Sequence, residues 1–168
     1  KTQRDEISSP ATGLMIYQID VTVGFYYYNG SSWAEVAATS KTYSVNTFYA
    51  ELGGYVIEVN SDGTHGLVVA MQDQGTSNWN GANDLLSNAS NHDINGAKFK
   101  DWRLPTKREL NLMYLVYNNG NVPSLNTTYY WSSTEYDYNN AWLQSLFSGT
   151  QNYYNKTSTA NVRAVRAF

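Results

Sequence analysis

The chain has 168 residues and a mass of 18.9 kDa, which is enough for one domain with a short appended arm. It contains no cysteine, which excludes a disulfide framework, zinc ribbons, iron–sulfur clusters and thiol chemistry. Its net charge is −3 and only 15% of its residues are charged, so we expect no nucleic-acid partner, because sequence-independent binding to nucleic acid needs a dense basic surface.

The N-terminal part reads as a short β arm. Residues 1–13 are polar and lack the apolar stretch of an export signal, so we expect any signal segment to be absent from this sequence. The segments LMIYQ and GFYYYNGSSW are rich in aromatic residues and are predicted strands. Within the second segment, Asn29-Gly30 is a tight-turn dipeptide that Trp33 follows, which indicates a small hairpin. We therefore divide the chain into an arm with its linker and a main domain, over residues 1–48 and 49–168.

The main domain begins with two predicted strands. Tyr55, Ile57 and Val59 lie at alternate positions, which predicts that they share one face of the first strand. The apolar run GLVVAM, residues 66–71, is short enough to be a buried second strand. The polar segment 72–100 predicts mostly loop.

Two helices and a late group of strands complete the predicted fold. A short helix is expected around residues 83–88, and Thr106 with Glu109 forms a capping box that begins a longer helix. This helix buries residues at helical spacing and stops at an Asn-Asn-Gly sequence: Leu110, Met113, Val116, Tyr117 and Gly120. Strands follow in YYWSS, NAWLQSLFS, QNYYN and VRAVRAF, the last closing a sheet. The predicted class is α+β, with antiparallel sheets and one or two helices.

Little in the sequence points to catalysis. The two histidines, His65 and His92, lie in a turn and in a polar loop beside Asp93, and no nucleophile or phosphate-binding motif is present. We therefore predict no enzyme, with a hydrolase using His65 or His92 as the remote alternative. No cofactor or metal is predicted, and a calcium site built from loop oxygens is the alternative, with scattered aspartates as its donors: Asp62, Asp73, Asp84 and Asp93.

The segment from Tyr136 to Asn161 is the candidate binding region. It is rich in Tyr, Asn, Ser and Thr, the residue types that contact surfaces such as antibody loops use. Within NAWLQSLFS the period is two, and we expect Trp142 and Leu146 to face the core while Leu143 and Phe147 face outward. The predicted ligand-binding residues are Tyr136, Tyr138, Asn139, Asn140, Leu143, Ser145, Phe147, Thr150, Asn152 and Tyr154.

Four segments in order carry a family resemblance: ELGGYVIEVNSDGTHGLVVA, DWRLPTKRELNLMY, YYWSSTEYDYNNAW and NVRAVRAF. Over residues 50–168 the chain resembles a bacterial C-type-lectin-fold domain related to the C-terminal domain of collagen-like bacterial adhesins. The resemblance implies a C-type-lectin-like fold with a binding role and no catalysis. The sequence motifs of calcium-dependent lectins are missing, and Trp79-Asn80-Gly81 is only a fragment of one. The N-terminal part resembles an arm that precedes such adhesion modules in secreted and phage tail proteins.

A narrower resemblance concerns residues 136–161, which are similar to the variable region of retroelement-diversified proteins. Together these features predict an adhesin or receptor-recognition module that binds a protein or glycan on a cell surface. We expect the protein to be extracellular, on a cell surface or on a virion. The alternative is a fibre- or pilus-tip assembly domain, in which LMIYQ adds to a neighbouring sheet. No run approaches the roughly 18 apolar residues of a spanning helix, so no direct membrane insertion is expected. The oligomeric state stays open.

Overall fold

The computed structural model describes residues 3–37, 40–120 and 125–168. It divides the chain into two compact units, Lys1–Ser40 and Lys41–Phe168, whereas the sequence analysis put the boundary at residues 48 and 49. The predicted linker includes residues 38 and 39, which lie outside the described residues. No helix within the described part is long and apolar enough to cross a membrane. The described residues form three sheets and two α-helices, an α+β fold that is mainly β.

The first unit is a three-stranded antiparallel sheet with strand order β1-β2-β3. A 3₁₀ turn at Gln3–Glu6 precedes β1 (Met15–Gln18), β2 (Gly24–Tyr28) and β3 (Trp33–Glu35). The predicted Asn29-Gly30 turn joins β2 to β3. Asn29 accepts hydrogen bonds from the backbone N–H groups of two following serines, both at 2.9 Å, and Gly30 has φ +100°, a conformation that glycine adopts without a steric cost.

The second unit contains a four-stranded sheet of order β12-β6-β5-β4. Its strands are β4 (Phe48–Tyr49), β5 (Gly54–Val59), β6 (Gly66–Ala70) and β12 (Val165–Ala167). The pairing of β5 with β6 shifts between Val56 and Glu58, and this irregularity interrupts the alternation of side chains. The prediction that Tyr55, Ile57 and Val59 share one face is therefore wrong, because Tyr55 and Ile57 pack in one apolar cluster and Val59 packs in another.

A five-stranded sheet of order β10-β9-β8-β11-β7 lies in the same unit. Its strands are β7 (Gly75–Ser77), β8 (Tyr129–Glu135), β9 (Asn140–Ser145), β10 (Gln151–Asn155) and β11 (Ala160–Val162). The pairing of β11 with β8 is parallel, and the other pairings are antiparallel, as predicted for the sheets in general. β10 is an edge strand, so the hairpin formed by β9 and β10 lies at the border of this sheet.

The helices are α1 (Ala82–Ser87) and α2 (Lys107–Asn118). The predicted capping box begins α2: Glu109 N–H donates to Thr106 Oγ1 at 3.2 Å, and Thr106 N–H donates to Glu109 Oε2 at 2.7 Å. The buried stripe of α2 consists of Leu110, Met113 and Val116, as the helical spacing predicts. The buried apolar side chains of the second unit form two clusters. One holds Trp131 and Leu143, and the other holds Tyr130 beneath α2.

The C-terminal segment differs from its prediction as a single strand. It forms two strands, because the chain leaves the five-stranded sheet after Val162 and enters the four-stranded sheet at Val165. Arg163 lies at this crossing and is fully buried, where its Nε donates to the carbonyl of Ala70 at 2.8 Å. The alternation of apolar and basic residues in this segment therefore does not separate an inner from an outer face.

Candidate functional site

The β9–β10 hairpin carries most of the residues that the sequence analysis selected. Its register places Tyr153 directly opposite Trp142, and Asn152 opposite Leu143. Since cross-strand partners share a face of a sheet, Trp142 and Tyr153 project to one side and Leu143 to the other. Residues that alternate along this hairpin therefore belong to two different surfaces.

Three aromatic side chains form a cluster on one side of the hairpin, which we call the aromatic patch: Tyr136, Trp142 and Tyr153. The rings of Tyr136 and Tyr153 stack with centroids 3.9 Å apart and planes 4° apart. Trp142 meets both edge-on, at 5.5 Å and 5.9 Å. Both tyrosines are 49% exposed and Trp142 is half-buried, while the ammonium of Lys107 lies 3.0 Å from the centre of a Trp142 ring.

The predicted orientation is wrong for Trp142 and Leu143, whereas Leu146 is buried and Phe147 is 78% exposed, as predicted. Leu143 is 3% exposed and packs in the same core as Trp131, its partner in β8, whereas Trp142 is partly open to solvent. On the Trp142 side, α2 covers only part of the sheet. It covers Gln144, which donates a hydrogen bond to Asn111 at 3.2 Å. The helix begins at Lys107, beside Trp142, so its N-terminal end leaves the aromatic patch uncovered.

The predicted site residues lie in four different places. Leu143 and Ser145 are buried, which removes them from any exposed surface. Tyr136 belongs to the aromatic patch, and Tyr154 projects to the opposite side of β10, where its ring lies 6.0 Å from that of Tyr129. The others are exposed or half-buried in the turns and the edge strand: Tyr138, Asn139, Asn140, Phe147, Thr150 and Asn152. The ten residues therefore do not form one continuous face.

The turn between β8 and β9 is held by a carboxylate. Asp137 accepts hydrogen bonds from the backbone N–H groups of Asn139 and Asn140, both at 2.8 Å, and from the side-chain amide of Asn140 at 2.9 Å. The hydrogen bond from the Asn140 side chain is the main cause that lowers the pKa of Asp137 below its ordinary value. The turn is thereby fixed while it presents Tyr138, which is 91% exposed.

Beside this turn lies a cavity of about 380 Å³, which we call the polar pocket. Its wall contains an ion pair between Lys156 and Glu135. Lys156 also donates to the carbonyl of Tyr138 at 3.0 Å and lies 4.8 Å above the ring of Trp79. The wall is completed mainly by side-chain amides, from Asn80, Asn139 and Asn155. The polar pocket shares no residue with the aromatic patch.

The two histidines lie in separate environments. His92 is buried, stacks on Trp102 with centroids 5.2 Å apart, and donates from Nε2 to the carbonyl of Leu86 at 2.8 Å. His65 Nδ1 lies 2.8 Å from the hydroxyl of Thr64. Among the described residues, no group of three or more His, Asp or Glu side chains is arranged to hold a metal ion. The hydrolase and calcium alternatives remain predictions.

The first unit exposes apolar side chains on one face of its sheet, which we call the apolar face: Met15, Tyr17, Phe25 and Tyr27. Met15 pairs with Tyr27 and Tyr17 with Phe25 across β1 and β2, and the rings of the latter pair lie 4.8 Å apart. These four residues are 58%, 55%, 55% and 39% exposed. Exposed apolar clusters are typical of interaction surfaces.

Sequence reasoning selected only some residues of each site: Tyr136 of the aromatic patch, and Tyr138 and Asn139 of the polar pocket. Trp142 was assigned to the core, and Tyr153 and Lys107 were not selected. Trp142 and Tyr153 lie together because they are cross-strand partners in the β9–β10 hairpin. The aromatic content of the sequence does not reveal this pairing. The polar pocket joins Asn80 to Lys156, which are far apart in the chain, so no local motif could have signalled it.

Two family models match the chain, and their matches overlap at residues 29–47. Residues 29–166 match the model of the Lcl C-terminal domain, and residues 1–47 match that of a phage tail-like trimerisation region. No curated protein matches the sequence. Because the first match covers most of its length, the chain belongs to the family of Lcl C-terminal domains, an adhesin-like family. Adhesin-like and phage tail-like families both indicate a location outside the cell or on a virion.

Proposed function

We propose that the second unit is a recognition module that binds a protein or glycan on a cell surface through the aromatic patch. The observation that carries this proposal is the half-exposed stack of Tyr136 and Tyr153 against Trp142. Large aromatic rings left open to water supply much of the binding energy when a partner covers them. Lys107 adds a positive charge beside the rings that can meet an acceptor on the ligand.

The rigidity of the aromatic patch supports the same proposal. Its two tyrosines stack on each other, and Trp142 is held in a paired strand, so little side-chain freedom is lost on binding. Tyr136 adjoins the turn that Asp137 fixes, which ties it to the sheet. A preorganised aromatic surface of this kind is suited to recognition rather than to packing within the chain.

The test compares neighbouring tyrosines that project to opposite sides of β10. The full chain is offered to a glycan array and to intact cells, with and without a chelator, as wild type, Tyr153→Ala and Tyr154→Ala. We expect Tyr153→Ala to lower binding about tenfold or more, and Tyr154→Ala to leave it nearly unchanged. If Tyr154→Ala abolishes binding and Tyr153→Ala does not, the ligand lies on the other side of the sheet. Loss of binding with the chelator would support the calcium alternative.

A second function, assembly of copies of the chain, is favoured by the apolar face of the first unit. Its four exposed side chains lie in the region that matches the trimerisation family, and burying them between copies would remove apolar area from water. Sedimentation equilibrium should give three times the chain mass for the wild type and a lower mass for Phe25→Ser. The matched control is Ile94→Ser in the second unit, where Ile94 is 91% exposed. A monomeric wild type would contradict the assembly function.

We also propose two finer assignments that the family resemblance motivates. The second unit would have a C-type-lectin-like fold, and residues 136–161 would be a retroelement-diversified region. Many positions of that region are exposed, as a variable surface requires, but Leu143, Ser145 and Ala160 are buried and would have to stay nearly constant. Sequencing sibling genes and the adjacent DNA tests the second assignment, and the absence of a template repeat and a reverse transcriptase would contradict it.

A further inference from the structure

We infer that the polar pocket binds one uncharged, hydroxyl-rich sugar unit. The inference rests on the proposed recognition function, because it names the chemical class of part of the ligand. The pocket volume of about 380 Å³ is in the range of small-molecule sites. The pocket and the aromatic patch have no residue in common, so the two surfaces can be altered independently.

The charges in the pocket wall disfavour an ionic ligand. The ammonium of Lys156 is already engaged by Glu135, by the carbonyl of Tyr138 and by the ring of Trp79, and the Lys156 side chain is only 12% exposed. It therefore has little capacity to pair with a sulfate or carboxylate. The Glu135 side chain is 57% exposed and would repel such an anion, while Lys156 opposes the entry of a cation.

The neutral groups of the wall have unused hydrogen-bonding capacity. Within the described part of the chain, the side-chain amides of Asn80 and Asn139 make no hydrogen bond, and each amide offers an acceptor and two donors. The carbonyl oxygen of Asn155 accepts from the backbone N–H and the hydroxyl of Thr157, at 3.0 Å and 2.7 Å, so its NH₂ group is left as a donor. Sugar hydroxyls both donate and accept, and they match this mixture.

An aromatic wall and a fixed backbone complete the match. Tyr138 lines the pocket and is 91% exposed, and its ring can cover the apolar C–H face that a pyranose presents beside its hydroxyls. The backbone around it is held, because Lys156 N–H donates to the Asn139 carbonyl at 2.8 Å and Trp79 N–H donates to the Lys156 carbonyl at 3.0 Å. The backbone of the pocket is therefore fixed at Asn139 and Lys156.

The experiment uses the full chain on an array of neutral oligosaccharides, with sulfated and sialylated glycans printed beside them. Wild type should bind neutral members, and Asn80→Ala and Asn139→Ala should each weaken that binding about three- to tenfold, the loss expected for one hydrogen bond. The matched control is Asn119→Ala, because Asn119 is exposed at the end of α2 and away from the pocket. Glu135→Gln removes the negative charge that repels anions and engages Lys156, so this variant should bind sulfated glycans better than the wild type does.

The outcomes separate this inference from the proposed function. If Tyr153→Ala lowers binding to cells but no neutral glycan binds, or if the Asn80 and Asn139 variants bind as the wild type does, the pocket inference is wrong and the recognition function stands. If the wild type prefers sulfated or sialylated glycans, the pocket inference is also wrong. An independent test is an NMR titration of ¹⁵N-labelled protein with galactose and N-acetylglucosamine. Chemical-shift changes at the side-chain amides of Asn80 and Asn139 support the pocket inference, and the absence of such changes with both sugars contradicts it.

Discussion

The guanidinium of Arg163 lies 2.8 Å from the carboxylate of Asp73, and the arginine is fully buried. The same carboxylate accepts from the hydroxyl of Tyr130 at 2.8 Å and from the amide of Asn126 at 2.7 Å. Burial raises the pKa of Tyr130 well above its ordinary value, and the charge of Asp73 adds to this effect, so Tyr130 stays a donor. The Asp73 carboxylate thus links Arg163 in the C-terminal segment to Tyr130 in β8 and to Asn126, which precedes β8.

Asp73→Asn should destabilise the protein strongly. The substitution keeps the shape of the side chain but removes the negative charge that Asp73 places against the buried guanidinium of Arg163, which costs about 3–5 kcal/mol of unfolding free energy. Urea denaturation of wild type and variant measures the difference. The control is Glu51→Gln, which breaks the exposed pair with Lys41 and should change stability far less. Equal effects of the two substitutions would contradict the importance of the buried pair.

Leu143→Ala and Trp142→Ala should separate stability from binding. Leu143 is almost fully buried, so its truncation removes apolar contacts and leaves a cavity, at a cost of about 2–5 kcal/mol in unfolding free energy. Trp142 is half-exposed, so its loss should cost less stability and should weaken ligand binding instead. Denaturation curves and the cell-binding assay report the two effects. A larger stability loss for Trp142→Ala would mean that Trp142, not Leu143, is the packing residue.

Local features of the fold could be predicted, because short-range rules decide them. The capping box at Thr106 and Glu109 depends on four consecutive residues, and the helix that it begins appears where the sequence predicts it. The Asn29-Gly30 turn likewise follows from the conformations that these two residues favour. Such signals need no knowledge of what the element packs against.

The orientation of β9 could not be predicted, because both of its faces carry apolar side chains. Either Trp142 or Leu143 could face the core on the basis of the sequence alone. Leu143 is buried because it lies opposite Trp131, and Trp142 stays partly exposed because α2 begins beside it. Arg163 was equally ambiguous, since only the crossing between two sheets and the distant Asp73 explain its burial. In each case a contact between distant parts of the chain overrides the local alternation of residues.

Thr106→Ala should weaken α2 by about 1 kcal/mol of unfolding free energy, within a range of about 0.5–2 kcal/mol. The reason is that the N–H of Glu109 loses its acceptor at the start of the helix. Thermal and urea unfolding measure the change. Thr159→Ala is the matched control, because Thr159 is exposed in the turn before β11. An equal loss of stability in both variants would show that the cap contributes nothing of its own.

Glu109 should make the stability of the protein depend on acid pH. Burial alone would raise the pKa of Glu109, but hydrogen bonds from Arg103 at 2.7 Å and 2.8 Å and from the N–H of Thr106 more than offset it, so the pKa lies below its ordinary value of 4.5. A carboxyl group with a lowered folded-state pKa binds its proton more readily in the unfolded chain. Its stabilising contribution is therefore complete above pH 4.5 and is lost as the pH falls through the lower folded-state value.

The measurement is the unfolding free energy of wild type and Glu109→Gln at pH 7, 5, 4 and 3. We expect the wild type to exceed the variant by a constant amount at pH 7 and 5, and the gap to narrow below pH 4.5 as Glu109 takes up its proton. Arg103→Gln removes the bidentate partner and should flatten the same part of the pH profile. Parallel profiles for wild type and Glu109→Gln down to pH 3 would mean that another carboxylate carries the acid sensitivity, because a group that titrates differently in the folded and unfolded chains cannot leave the gap constant.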